Sequence, residues 1–228
     1  MALLLALSTS HGCGKAPIPE HVTTEQVQQE LAAKDPKRLL TGGERVFFDD
    51  FQRAELGPNW TIERITTEAN PPTWTLVDGW LTNADAKNQG AWVKAIPETG
   101  NVRIEYLAVS DPPKKGKFVG DLKCEAFATG PAHEKGYSFI NGGWDNQFDT
   151  IAKLGEHSAD DKRKPSNPVA QGKVHRYAVI LDGTNLYHFR DGEHLYTFED
   201  PRPVRGPWFA FNNWLTNARF DELAVFTL

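Results

Sequence analysis

Three ionisable side chains recur at every second position of the stretch VGDLKCEAFATG (119–130): Asp121, Lys123 and Glu125. Carboxylates on either side of an ammonium can order a polar ligand through paired hydrogen bonds, and an acid beside a base can move protons. The intervening positions, Leu122, Cys124, Ala126 and Ala128, are small and apolar. A period of two reads as a β-strand with one packed face. Cys124 then goes to the core as a small hydrophobe, and the charged residues, with Phe127, go to the opposite face. The strand alone leaves open whether that face is a groove or ordinary solvated surface. Two same-face steps put the Cα atoms of Asp121 and Glu125 about 13 Å apart. Glycosidases hold their two carboxyl groups about 5 to 9.5 Å apart, so this pair by itself is not a catalytic dyad.

A second set follows in GYSFINGGWDNQFDTIAKLGEH (136–157). Consecutive antiparallel strands tend to pair, which would bring Tyr137 and Asn141 beside Asp121, Lys123 and Glu125, with Lys153 and His157 further along. Asn141-Gly142-Gly143 allows a tight turn and close approach by a ligand. Trp144 at that turn could stack on a sugar ring, and Asp145 and Asn146 could read hydroxyls. The candidate binding residues are therefore Asp121, Lys123, Glu125, Tyr137, Asn141, Trp144, Asn146 and Lys153. His157, beside Glu156, is the candidate base, and Glu125 the candidate acid. Asn212 and Trp214, near the end of GPWFAFNNW, offer a second sugar contact.

Short alternating runs with turn signals position these residues. From Glu44 onward about a dozen such runs follow one another, punctuated by Asp78-Gly79, Asp182-Gly183 and Asp191-Gly192. No amphipathic helix interrupts them, which predicts an all-β, two-sheet antiparallel sandwich or jelly roll over 44–228. The polar stretch 156–173 reads as a loop. Residues 14–43 read as a tether with one short helix, capped at Thr24 and stopped by Pro36. Seven Trp and thirteen Phe against one Met point to an aromatic, β-branched core.

Acidic residues outnumber basic ones by 30 to 25 and no basic stripe occurs, which argues against nucleic acid as a partner. The two cysteines set up no disulfide framework, and no His/Cys spacing of a zinc site is present. The opening MALLLALSTSHGC is too short an apolar run to span a bilayer. It resembles the end of a bacterial lipoprotein signal over residues 1–13, with Cys13 as the lipidated residue. Ser10 and the lack of a preceding Lys or Arg depart from that pattern. This reading places the protein in the cell envelope, lipid-anchored at the outer membrane or in the periplasm.

The segments FFDDFQRAELGPNW, WTLVDGWLTN, GDLKCEAFA, GYSFINGGWDN, VHRYAVILDGTNLYHFRDGEHLYTFEDPRPVRGPWFAFNNW and RFDELAVFTL, in this order, resemble the concanavalin A-like lectin/glucanase superfamily. The nearest likeness is to bacterial lectin-like and keto-sugar hydrolase-like jelly rolls. The resemblance spans nearly all of 44–228. It implies a convex and a concave sheet, with a polysaccharide or oligosaccharide across the concave one. It also implies that first and last strands pair, which would gather Asp49, Asp50 and Asp221 for a structural calcium; no other cofactor is expected. The acidic strand of the glucanases is not reproduced, because Lys123 stands where that pattern has an acid. The lyase pattern fails too, with Leu107 after Arg103 and Glu105. Three functions remain: a carbohydrate-binding protein, a glycoside hydrolase or lyase using the same groove, and a structural surface protein without a ligand.

Overall fold

The computed structural model describes residues 34–63, 74–84, 86–112, 118–157 and 162–228. The chain divides into units 1–35 and 36–228. Only Lys34 and Asp35 of the first unit are described, so Cys13 and the expected helix after Thr24 lie outside the described residues.

The second unit is a sandwich of two antiparallel sheets. One has eight strands, in the order β13 (Glu193–Glu199), β12 (Asn185–Arg190), β11 (His175–Asp182), β6 (Val102–Ser110), β15 (Ala218–Thr227), β4 (Trp80–Asn83) and β3 (Thr75–Val77), with β1 (Glu44–Asp49) also paired to β15. The other has seven: β10 (Lys164–Pro165), β9 (Phe148–Lys153), β8 (Tyr137–Gly142), β7 (Leu122–Ala128), β14 (Trp208–Asn212), β5 (Ala91–Lys94) and β2 (Trp60–Ile62). This is the two-sheet β-architecture that the alternating runs predict. β15 serves two neighbours on one side: Ala218–Phe220 pair with β4, and the stretch from Leu223 pairs with β1. A bulge at Asp221–Ala224 separates the two halves. Pro36–Leu40 form a 3-10 turn that buries Leu39 against Ala178, Ile180 and Phe189. Arg103 holds it by donating to the carbonyls of Leu39 and Gly42 at 2.8 and 2.9 Å.

Between the sheets lies an aromatic core centred on Phe211. Its ring stacks on Phe220 at 4.4 Å and meets Phe209 at 4.9 Å and Tyr106 at 5.3 Å, with Trp60 and Phe51 just beyond. Leu122, Cys124 and Ala126 of β7 face the same interior. Burial, aided by the charge of Glu125 and opposed by a hydrogen bond with Tyr106, pushes the Cys124 thiol up to about 12, so the sulfur is unreactive packing material.

Simple alternation fails at Phe127. It belongs to the charged side by count, but the structure places it in the core, edge-on to Tyr137. A positive φ of 58° at Phe127 and a register shift opposite it, between Trp208 and Ala210, supply the extra half-turn of the chain. Because Phe211 touches aromatic rings from both sheets, Phe211→Ala should cost about 3–5 kcal/mol. Urea unfolding followed by fluorescence would measure it, and a loss under 1 kcal/mol would contradict the central role given to this ring.

Candidate functional site

Lys123 and Glu125 leave β7 on the face turned away from the core, yet both side chains are fully buried. Connections from four places fold over them. Lys123 Nζ donates to Glu156 Oε1 at 2.7 Å, from the loop after β9, and to Asn88 Oδ1, from the loop before β5. Glu125 Oε1 lies 2.7 Å from His133 Nδ1, in the turn after β7, and accepts from Asn212 Nδ2 at 2.6 Å. The Glu134 amide donates to Glu125 Oε2 at 3.2 Å. Glu63 secures the same turn, accepting from the His133 amide at 3.0 Å and from Trp92 Nε1 at 3.2 Å. His133 Nε2 stands 3.8 Å from Glu156, so a chain of alternating charge runs Glu125–His133–Glu156–Lys123.

The pKa values follow from this chain. For Lys123, burial favours the neutral amine, but Glu156, Asp121 and Glu125 outweigh it and hold the ammonium above its usual value. Burial would raise Glu156, yet Lys123 and His133 hold it below the ordinary carboxylate value. Burial likewise opposes a charged His133, and Glu125 and Glu156 overcome it, so the imidazolium is favoured. Asp121 is the exception. Burial dominates, Lys123 opposes it, Glu156 adds repulsion, and the carboxyl rises to about 6.

Asp121 sits at the start of β7 with φ 46°, its Oδ2 accepting from the Trp214 amide. Its own amide donates to the Gly142 carbonyl at 2.7 Å. Gly120 permits that approach, since a Cβ there would lie 2.3 Å from the Gly142 oxygen. Beyond Gly142 the chain reverses through Gly143–Asn146, with Trp144, Asp145 and Asn146 all left-handed at φ 50°, 61° and 62°. Such residues each cost on the order of 1–2 kcal/mol. Asp149 compensates by accepting from the Gly142 amide at 2.9 Å and from Asn141 Nδ2 at 2.6 Å. Asn146 braces the turn by exchanging two 2.9 Å hydrogen bonds with the backbone of Val169. Between this turn, the β9 loop and the segment after β14 lies a pocket of about 430 Å³. Asp121, Glu156 and Asn88 face it, and Trp144, Trp214 and His157 wall it.

Several solved structures share this sandwich. The carbohydrate-binding module CBM66 from Bacillus subtilis aligns with 74% of this chain and 96% of its own, at 12% identity and a TM-score of 0.56. A laminarinase from Flavobacterium sp. UMI-01 covers 81% of this chain and 100% of its own, at 15% identity and a TM-score of 0.54. Domain 4 of AbnA, an extracellular arabinanase from Geobacillus stearothermophilus solved with arabinotriose, covers 82% and 94%, at 13% identity and a TM-score of 0.51. The sandwich has the concanavalin A-like jelly-roll fold. No family model matches the sequence, and no curated protein matches it.

Within this jelly roll the residues singled out from sequence fall into separate places. Asp121 and Trp144 line the pocket, Lys123 underlies it, and Glu125 is sealed behind His133. Tyr137 and Asn141 are not beside them. The β7–β8 register sets Glu125 opposite Ser138 and Lys123 opposite Ile140, which turns Tyr137 and Asn141 inward. Tyr137 there donates to Asp200 at 2.5 Å, and Asn141 accepts from Tyr177 and Arg190. Lys153 pairs with Asp200 at 2.6 Å, away from the pocket, and Asn146 braces the backbone.

Of the candidate acid and base, Glu125 is paired with His133, whereas His157 lies edge-on to Trp144 and 3.3 Å from Arg163 Nη2. His133, Glu63 and Asn88 are the members that sequence reasoning missed, and His133 had a signal. The available signal was a histidine in the short turn leaving a charged strand, a turn that must fold back over that strand. Asp49 is engaged on both oxygens by Arg53, at 2.5 and 2.8 Å, and Asp221 accepts from the Glu222 amide. Among the described residues no three His, Cys, Asp or Glu side chains gather as a metal site.

Asp121 makes the fold sensitive to pH in an unusual direction. Its folded-state pKa is above the unfolded one, so its contribution to stability is full below about pH 4 and is lost as pH rises through about 6. At about 1.4 kcal/mol per pKa unit, the rise from 3.8 to about 6 amounts to about 3 kcal/mol. Asp121→Asn should therefore be near neutral at pH 4 and stabilising by up to about 3 kcal/mol at pH 8. Urea denaturation at the two pH values tests this, and equal effects at both would refute it.

Proposed function

We propose that this protein binds a carbohydrate in the pocket on the outer face of the seven-stranded sheet, and that this is the concave face. The observation that carries this reading is Trp214, an indole 47% exposed at a pocket whose inner groups are Asn88, Asp121 and Glu156. An exposed indole offers an apolar face to the C–H side of a sugar ring, and carboxylate and amide groups beneath it are the partners that hydroxyls require. The volume of about 430 Å³ suits the end of a saccharide. Sharing a fold with a named carbohydrate-binding module and with a domain that holds arabinotriose supports the reading.

In this proposal Cys13 carries a lipid and tethers the jelly roll, 44–228, to the envelope. Among the described residues no helix is long and apolar enough to cross a membrane. A second reading, a glycan-active enzyme using the same pocket, is favoured by one observation. Asp121 and Glu156 both face it, one carboxyl pushed up and the other held down, which is how an acid and a base are told apart.

A glycan array with the full chain should return bound saccharides, and Trp214→Ala should weaken them by about tenfold or more. An array blank for every polysaccharide and oligosaccharide refutes the carbohydrate reading. Product analysis of the bound glycans separates binding from turnover. Cys13→Ala should move the protein from the membrane fraction to the soluble fraction, and unchanged partitioning would remove the lipid anchor from this account.

A further inference from the structure

The charges facing the pocket are unbalanced. Asp121, Asp145 and Glu156 line it, and His157 is the one basic group among its lining residues. The nearby cations are already engaged: Lys123 by Glu156 and Asn88, His133 by Glu125, and Arg163 over the Trp144 ring at 3.6 Å. Asp121 is only 8% exposed, and the one hydrogen bond of its carboxyl among the described residues is from the Trp214 amide to Oδ2. Asp121 lines the cavity, and its Oδ1 accepts no hydrogen bond among the described residues. Glu156, 7% exposed and also lining the cavity, accepts from Lys123 on Oε1, and its Oε2 accepts no hydrogen bond among the described residues. Asp121 and Glu156 thus share the one ammonium of Lys123, and an aromatic wall beside them also attracts positive charge.

We propose that the ligand is a saccharide bearing a free ammonium, an amino sugar whose charged nitrogen is held by Asp121 and Glu156 while its ring lies on Trp214. This rests on the carbohydrate reading above and names the class of sugar. Around Asp121 stand Lys123 and Glu125 from its own strand, His133 from the next turn, Asp145 from the left-handed turn, and Glu156 and His157 from the β9 loop. An incoming cation requires the ionised carboxylate. Burial raises the Asp121 carboxyl to about 6, so affinity for the amine should fall as pH drops below that, with Glu156 still ionised.

The test is calorimetric titration of the full chain with a fully deacetylated glucosamine tetramer, its N-acetylated counterpart and a neutral glucose tetramer at matched ionic strength. The deacetylated tetramer should bind at least about tenfold more tightly at pH 6.5. That preference should shrink toward pH 5 and be several-fold smaller in Asp121→Asn, where Glu156 alone remains. A neutral or acetylated sugar that binds as well as the amine, here or on the array, overturns the ammonium and leaves the carbohydrate reading standing. No binding by any saccharide overturns both. If Asp121→Asn does not fold, the wild-type profile decides: amine affinity constant from pH 6 to 4.5, where the ligand amine is fully protonated, overturns the proposal.

Discussion

The ammonium of Lys123 is fully buried with two hydrogen-bond partners, and much of the site is arranged to satisfy it. A buried charge costs several kcal/mol unless an opposite charge and hydrogen bonds meet it at close range. Glu156 must therefore arrive at 2.7 Å, which fixes the loop after β9, and the Asn88 oxygen must also arrive, which fixes the loop before β5. Glu125, two residues along the same strand, imposes the matching demand for donors and receives His133 and Asn212. Loops that would otherwise wander over a sheet are thus ordered by polar contacts.

The interior contributes through a different set of bonds. Asn141 and Asp149 lie among the packed side chains, where Arg190 and Tyr177 reach Asn141 from the opposite sheet at 2.9 and 2.7 Å. Through its hydrogen bonds to the Gly142 amide and Ser166, Asp149 clamps the turn that carries Trp144. Asn141 is therefore a support for the pocket from behind rather than part of its lining. Such second-line contacts hold a strained backbone in a conformation it would not adopt alone.

Sequence patterning located the sandwich and the side of β7 that each residue from Leu122 to Ala126 faces, because burial of one sheet face forces a period of two. Cys124 in the core and Lys123 on the other face follow from that rule. Two further facts were beyond it. The pairing of β7 with β8 depends on the conformation of the intervening turn, and a slip of one position exchanges the faces. This is why Tyr137 and Asn141 point inward and Ser138 and Ile140 stand beside the charged residues. Period-two reading also assumes unbroken pleating, which the bulge at Phe127 violates. His133, Glu63 and Asn88 come from connections whose placement depends on tertiary contacts, so local pattern gives no account of them.

The division of labour between strand and connection has a consequence for how such a protein can diverge. β7 and β14 fix the charged platform, and their other faces are committed to the aromatic core, so they tolerate little change. The Trp144 turn, the Glu156 loop and the Trp214 segment carry the walls, and each is fastened by a few discrete polar bonds. Chains that kept the platform and exchanged those three pieces would inherit the same buried electrostatics while admitting guests of a different shape.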